Sequence, residues 1–399
     1  MITIHKPEII DRDNCSRLQA SVEIDSNKII IWFEVDNKYK EFLCWERADA
    51  FVIGLLHYAM TNRHDIVSLS PITEDLHYQI NTYLTDALYK GSHKVIHKTK
   101  VAAEVISEPI ENAGAVGASV SCGIDSLHTI STHSDGIYKK HNITHLSFFN
   151  VGANLIGEKA EKLFYQKSLR AQQFCDEFNF ELVKVDSNFM DVLIQDNHLV
   201  HSYRTIAVVY ILQKLFSYYY FSSGTTFMDF SLNNNQKEDP AYYEIFLLDI
   251  LSTKNLRFYS EGGTLSRLEK TNLVSDYLPS YKYLHVCSDE AHNCMKCEKC
   301  VRTILSLNMI GKLDNYKDVF DIDFFLKNKK AFLYTLYKEF CIRNPFYKEL
   351  YKYYKKDITL LIKVNVILKN RMDITYVRLI NNNLGIYILQ KYRKYIKKK

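Results

Sequence analysis

The 399-residue chain is 47% hydrophobic and 24% charged, which excludes large-scale disorder and, at this length, a single small core. Its start, MITIHKPEII, lacks an apolar stretch of signal-peptide length, and the most apolar runs, 206–212 and 358–368, are too short or too broken to span a bilayer, so a cytoplasmic chain is expected. Net charge is +5, yet residues 341–399 hold fifteen Lys/Arg against three Asp/Glu, a net of +12 that leaves −7 on residues 1–340. A basic end on an acidic body suits nucleic acid or another polyanion, and a merely solvated lysine-rich end gives the same count.

Residues 1–45 alternate as strands at 21–26, 28–35 and 41–45, separated by turn residues at 25–27 and 36–38, which predicts a small antiparallel sheet. Helices follow at 47–60 and 72–89. In the second, Ile72, Leu76, Ile80, Leu84 and Leu88 fall on one face, and Ser70-Pro71 marks the start. Residues 1–108 therefore read as an accessory α+β region with no motif of its own.

From residue 109 the pattern changes to alternating strands (115–120, 144–151, 181–186, 218–223) and helices (126–139, 156–178, 201–215). This predicts an α/β domain, a parallel sheet with helices on both faces, whose ligand binds at the carboxyl ends of the strands. Between the first strand and its helix lies Ser121-Cys122-Gly123-Ile124-Asp125-Ser126. A strand–turn–helix junction of this kind aims backbone N–H groups and the positive end of the helix dipole at one point, which suits a phosphate or pyrophosphate. Gly152 closes the second strand and Gly224 the fourth, both small enough to wall a nucleotide pocket. The 228–240 loop is placed for substrate contacts by position alone. Ser266 and Glu269 form a capping box, so a helix begins there, with Arg267 and Lys270 in a first turn that disfavours cations unless an anion is near.

Nine cysteines occur, four of them at 287, 294, 297 and 300. Two consecutive Cys-x-x-Cys steps with a fourth thiolate from the end of a strand at 283–286 suit a closed tetrahedral site, read as structural Zn²⁺, with an iron–sulfur cluster as the alternative. The last ligand leads into a helix through Val301, Ile304, Leu305 and Met309. Cys15, Cys44, Cys122, Cys175 and Cys341 are scattered and read as small apolar residues.

The Ser-x-Gly-x-Asp-Ser loop resembles the SGGxDS loop of the PP-loop ATP pyrophosphatases, with Cys122 standing where that family has a glycine. Together with Cys-x6-Cys-x2-Cys-x2-Cys some 160 residues on, it resembles the 7-cyano-7-deazaguanine synthase branch over residues 113–313, about half of the chain. The resemblance implies a PP-loop, adenine nucleotide α-hydrolase-like fold and cleavage of ATP to AMP and pyrophosphate. A carboxylate or amide oxygen would be adenylated, then attacked by ammonia or an amine. It implies ATP, Mg²⁺ and Zn²⁺ as cofactors. Ser121, Cys122, Gly123, Ile124, Asp125, Ser126, Gly152 and Gly224 would line the nucleotide site. Asp125 would position Mg²⁺, and Ser126, Lys270 and Arg204, the last opening the helix before the fourth strand, would act on the phosphates.

The chain departs from that branch at Val151-Gly152-Ala153, where the family has Tyr-Gly-Gln, and it has no Tyr-Pro-Asp-Cys-Arg segment near Asp239-Pro240. The small-molecule acceptor is therefore expected to differ from 7-carboxy-7-deazaguanine. The domains read as 1–108, 109–313 carrying the zinc site, and 314–399, a helical region ending in the basic tail 391–399. A PP-loop relic that binds nucleotide or RNA without turnover is the alternative reading.

Overall fold

The computed structural model describes residues 1–92, 95–152, 158–233, 239–288 and 290–369. The basic tail at 391–399 and part of the 228–240 loop lie outside them. The chain forms two compact units, Met1–Asn293 and Cys294–Lys399.

The first unit is α/β. Its strands, in chain order, are β1 (Ile2–Ile4), β2 (Glu8–Asp11), β3 (Cys15–Ile24), β4 (Asn27–Asp36), β5 (Ile66–Ser68), β6 (Ile72–Thr73), β7 (Val101–Ala102), β8 (Val105–Ile106), β9 (Ala115–Ser119), β10 (His145–Phe149), β11 (Glu181–Ser187), β12 (Phe216–Ser222) and β13 (Arg257–Glu261). Eleven of them make one mixed sheet in the order β13-β12-β9-β10-β11-β4-β3-β1-β5-β7, with β2 paired to β3; β6 and β8 pair separately. The five strands from β13 to β11 are mutually parallel. Their connections run from β9 outward through β10 to β11, then return to the other side of β9 for β12 and β13. Strand order thus reverses at β9, the arrangement of a Rossmann-like doubly wound sheet, and helices flank it.

Four of the five parallel strands match the predicted runs within a few residues; β13 was not anticipated. The N-terminal strands do not make a separate small sheet. β4 pairs antiparallel with β11 through Val35↔Val185, Glu34↔Asp186 and Phe33↔Ser187, which carries the sheet on into residues 1–108. The hairpin β3–β4 forms where the turn residues predict it. Asp25 and Ser26 both have positive φ, 46° and 76°, as a two-residue loop matched to strand twist requires. The third predicted strand, 41–45, is instead a 3₁₀ turn (Asn37–Phe42) followed by irregular chain. Leu43 and Cys44 are still buried, Leu43 in the core and Cys44 with its N–H donating to Ile211 O at 2.8 Å, while Trp45 is exposed.

Helix Asp49–Asn62 buries eleven of its fourteen residues, as a helix apolar on all sides must. It lies against helix Asn197–Ile211, and Gly54 makes room for the Phe189 ring beside that contact: a Cβ there would sit 2.7 Å from the ring. Fully buried side chains such as Phe51, Phe33, Ile206 and Phe216 each contribute about 1.5–3 kcal/mol. The predicted 72–89 helix begins as β6 and then runs as Glu74–Gln79, a π turn at Ile80–Leu84, and Thr85–Ser92. The π turn has a simple cause. Residues four apart drift around a 3.6-residue helix, and a wider turn draws Leu84 and Leu88 back onto the buried face with Leu76 and Ile80.

The second unit is helical, with Glu298–Met309, Ile322–Lys327, Lys329–Cys341 and Lys348–Tyr354 around a core of Ile304, Leu305, Tyr316, Phe325, Leu336, Tyr347 and Tyr354. The buried tyrosines keep their hydroxyls paired: Tyr354 donates to Leu305 O and Tyr347 to Glu298 O, both at 3.0 Å. Among the described residues no helix is long and apolar enough to cross a membrane.

Candidate functional site

β9 is the central strand of the parallel half, and the chain leaves its carboxyl end through residues 120–123 into helix Ile124–His133. Gly123 occupies the N-cap in extended conformation, φ −79°, with no side chain over the helix end. The first-turn N–H groups of residues 124–126 have no intrahelical acceptors and face the point where strand order reverses. The loop is held by its own serines. The Ser126 hydroxyl donates to Gly123 O at 3.2 Å, the Ser121 hydroxyl to Ser126 Oγ at 3.1 Å, and the Gly123 N–H to Ser121 Oγ at 3.3 Å.

Cys122 adopts φ 58°, the left-handed conformation that a glycine takes at no steric cost. Its side chain is 1% exposed and lies within electrostatic reach of Arg170, Cys175 and Tyr277. Burial pushes the thiol up to about 12, so it is neither thiolate nor nucleophile. The Cys122 carbonyl accepts from the His285 N–H at 2.8 Å, which ties the segment before the first metal-site cysteine to the loop.

The predicted capping box is present, with Ser266 and Glu269 exchanging hydrogen bonds at the start of helix Arg267–Val274. That start places both cations of the first turn on Asp125: Arg267 Nη2 lies 2.6 Å and Lys270 Nζ 3.3 Å from its carboxylate. Lys270 also donates to Ser223 O at 2.6 Å, next to Gly224 at the end of β12. Burial pushes the Lys270 ammonium below the ordinary lysine range, against the pull of Asp125. Gly262, at φ 77°, makes room for it, since a Cβ there would lie 2.9 Å from Lys270 Cε. Ser121, Gly123, Asp125, Ser126 and Lys270 are thus brought together. Arg267 joins them as the partner of Asp125; the capping box was its signal, because it puts residues 267 and 270 on one helical face.

Arg204 is not among them. Its Nη2 donates to Leu193 O at 2.8 Å and to Gln195 Oε1 at 3.4 Å, and its guanidinium lies 5.2 Å from the Phe189 ring centre. None of these partners belongs to the loop. Gly152 has φ 111°, and a Cβ there would sit 2.6 Å from Met190 Cγ. Gly224 has nothing within 4 Å of that position. Gly152→Ala should therefore cost about 2 kcal/mol in urea unfolding, and Gly224→Ala should leave the midpoint nearly unchanged.

Within the segment 287–300, the sulfurs of Cys287, Cys294, Cys297 and Cys300 all lie within 4.8 Å of one another, with Cys294 and Cys300 at 4.0 Å. A tetrahedron with Zn–S bonds of about 2.3 Å has edges of roughly 3.8 Å, so the donor set fits a four-thiolate metal site. The backbone assists: the Cys297 N–H donates to Cys294 Sγ at 3.3 Å and the Cys300 N–H to Cys297 Sγ at 3.5 Å. Met295, at φ 63°, turns the chain between the first pair. The run before Cys287 is a short helix, Pro279–Tyr283, then irregular chain, not the predicted strand, because Pro279 opens a helix readily and cannot donate to a sheet ladder.

No family model, no curated protein and no solved structure matches this chain.

Proposed function

We propose that the chain is an ATP pyrophosphatase of the PP-loop kind that adenylates an oxygen of an acceptor and releases pyrophosphate. The observation that carries the reading is the Ser121–Ser126 turn: it stands at the strand-order reversal, opens a helix, and has Asp125 bridged by Lys270 and Arg267. Backbone N–H groups of residues 124–126 and the Ser121 and Ser126 hydroxyls would hold phosphate oxygens. Lys270 and Arg267 would pass from the Asp125 carboxylate to the phosphates, where their charge favours the departing pyrophosphate. That exchange frees Asp125, the one carboxylate of the turn, to hold Mg²⁺ beside the phosphates, and the ion would supply further charge neutralisation. The four-thiolate site has no open position and takes a structural role as Zn²⁺.

The acceptor is a carboxylate or amide whose adenylate ammonia or an amine displaces. The experiment is ATP–pyrophosphate exchange with candidate acceptors, together with identification of the nucleotide product. AMP and pyrophosphate are expected; ADP and phosphate would sink the proposal.

Cys122 separates turnover from the relic reading. Because its thiol is buried, Cys122→Gly is expected to change nucleotide affinity less than about threefold, as measured by calorimetric titration. A large gain in affinity would identify a loop impaired by the cysteine.

A further inference from the structure

We propose that Arg204, His57 and Gln195 form a second anion subsite in the first unit, one that takes a monoanionic carboxylate. Arg204 is 1% exposed and His57 2%. Gln195 lies between them, its carbonyl accepting from Arg204 Nη2 and its amide 3.4 Å from His57 Nδ1. If the amide donates to Nδ1, the proton of the neutral ring is on Nε2. Among the described residues, His57 Nε2, Arg204 Nε and Arg204 Nη1 have no hydrogen-bond partner. Three orphaned groups, all donors, call for a ligand that only accepts, and an ionised carboxylate is such a group.

The charge points the same way. Burial lowers Arg204 only to about 10, so it stays protonated at neutral pH, and no carboxylate faces it. Burial and the Arg204 charge push His57 down to about 4, which leaves the imidazole neutral. The group therefore carries one positive charge in an apolar setting of Phe189, Tyr203 and Leu193. A monoanion neutralises it, whereas a phosphate dianion would leave a buried negative charge. Gln195 is half-exposed, which gives a small ligand an approach.

The helix bearing Arg204 runs into β12, so its first half stands at the same end of the sheet as the Ser121–Ser126 turn. Assigning the carboxylate to the acceptor rests on the adenylation reading; the subsite itself does not. His57 comes from residues 1–108, which would give that region a part in choosing the acceptor.

The test is thermal unfolding of the full chain titrated with sodium acetate, against sodium chloride at equal ionic strength. Wild type should show a saturable rise specific to acetate. Arg204→Met should melt higher than wild type without acetate, because an uncompensated buried charge is gone, and should show no acetate increment. Gln195→Leu, at a half-exposed position that tolerates substitution, should fold and bind acetate roughly tenfold more weakly; it carries the test if Arg204→Met does not fold. No saturable acetate effect in wild type, an equal effect of chloride, or an undiminished effect in the variants would each overturn the subsite. ATP–pyrophosphate exchange is measured alongside: its absence with acetate binding intact would remove the adenylation reading and leave the subsite standing.

Discussion

Replacing Lys270 with methionine should lower ATP–pyrophosphate exchange roughly 10²–10³-fold, the usual effect of removing one preorganised donor from a developing charge. Methionine fills nearly the same volume, so the buried site stays packed. The ammonium now shared by Asp125 and Ser223 O would be lost to the phosphates. Arg267→Gln should have a smaller effect, because its side chain is more exposed, 16% against 2% for Lys270, and its charge is better screened by solvent. Asp125→Asn removes the counter-charge of both cations and the carboxylate proposed to hold Mg²⁺, and it should abolish exchange. Equal, small losses in all three variants would show that the cluster only braces helix Arg267–Val274 against the turn.

Elemental analysis of purified protein should give about one zinc per chain, and Cys297→Ser should lose the metal and fall in stability by several kcal/mol or fail to stay soluble. Four thiols gathered within 4.8 Å without an ion would carry unfavourable thiolate repulsion or unpaired groups, so binding and local folding are one event there. Because thiolates bind and thiols do not, acidification should release the metal and destabilise the chain together. Cys341→Ser is the control: Cys341 is exposed and outside the cluster, and its replacement should change neither metal content nor stability. A stable, metal-free wild type would overturn the prediction, and iron with visible absorbance would replace zinc by a cluster.

Much of the parallel half was legible because its signals are local. Alternation of apolar strands and amphipathic helices depends on neighbours in sequence, as do the capping box at Ser266 and the cysteine spacing. The turn at Ser121 was legible for the same reason. What failed to show depends on distant partners. β13 is a five-residue edge strand, Arg-Phe-Tyr-Ser-Glu, whose membership is decided by β12 alone. The apolar residues 42–44 look like a strand until helix Asn197–Ile211 offers them a surface. Arg204 showed the limit most sharply. A cation on a crossover helix reads as a phosphate clamp, yet its guanidinium is held by Leu193 O and Gln195 Oε1 in the irregular chain before the helix, and no periodicity or spacing announces such a contact.

The seam between β4 and β11 is only three residue pairs long, and it governs how the chain can be cut. Deleting residues 1–108 would strip the cover from β11, turning an interior strand into an open edge of unpaired N–H and C=O groups. The same deletion would bare the face of helix Asn197–Ile211 that helix Asp49–Asn62 now buries. Such a fragment would expose a sticky strand and an apolar helix at once, so it should aggregate whether or not its Ser121–Ser126 turn is intact. Insolubility of a shortened chain would then report on this seam, not on catalysis, and point variants are the sounder way to dissect the first unit.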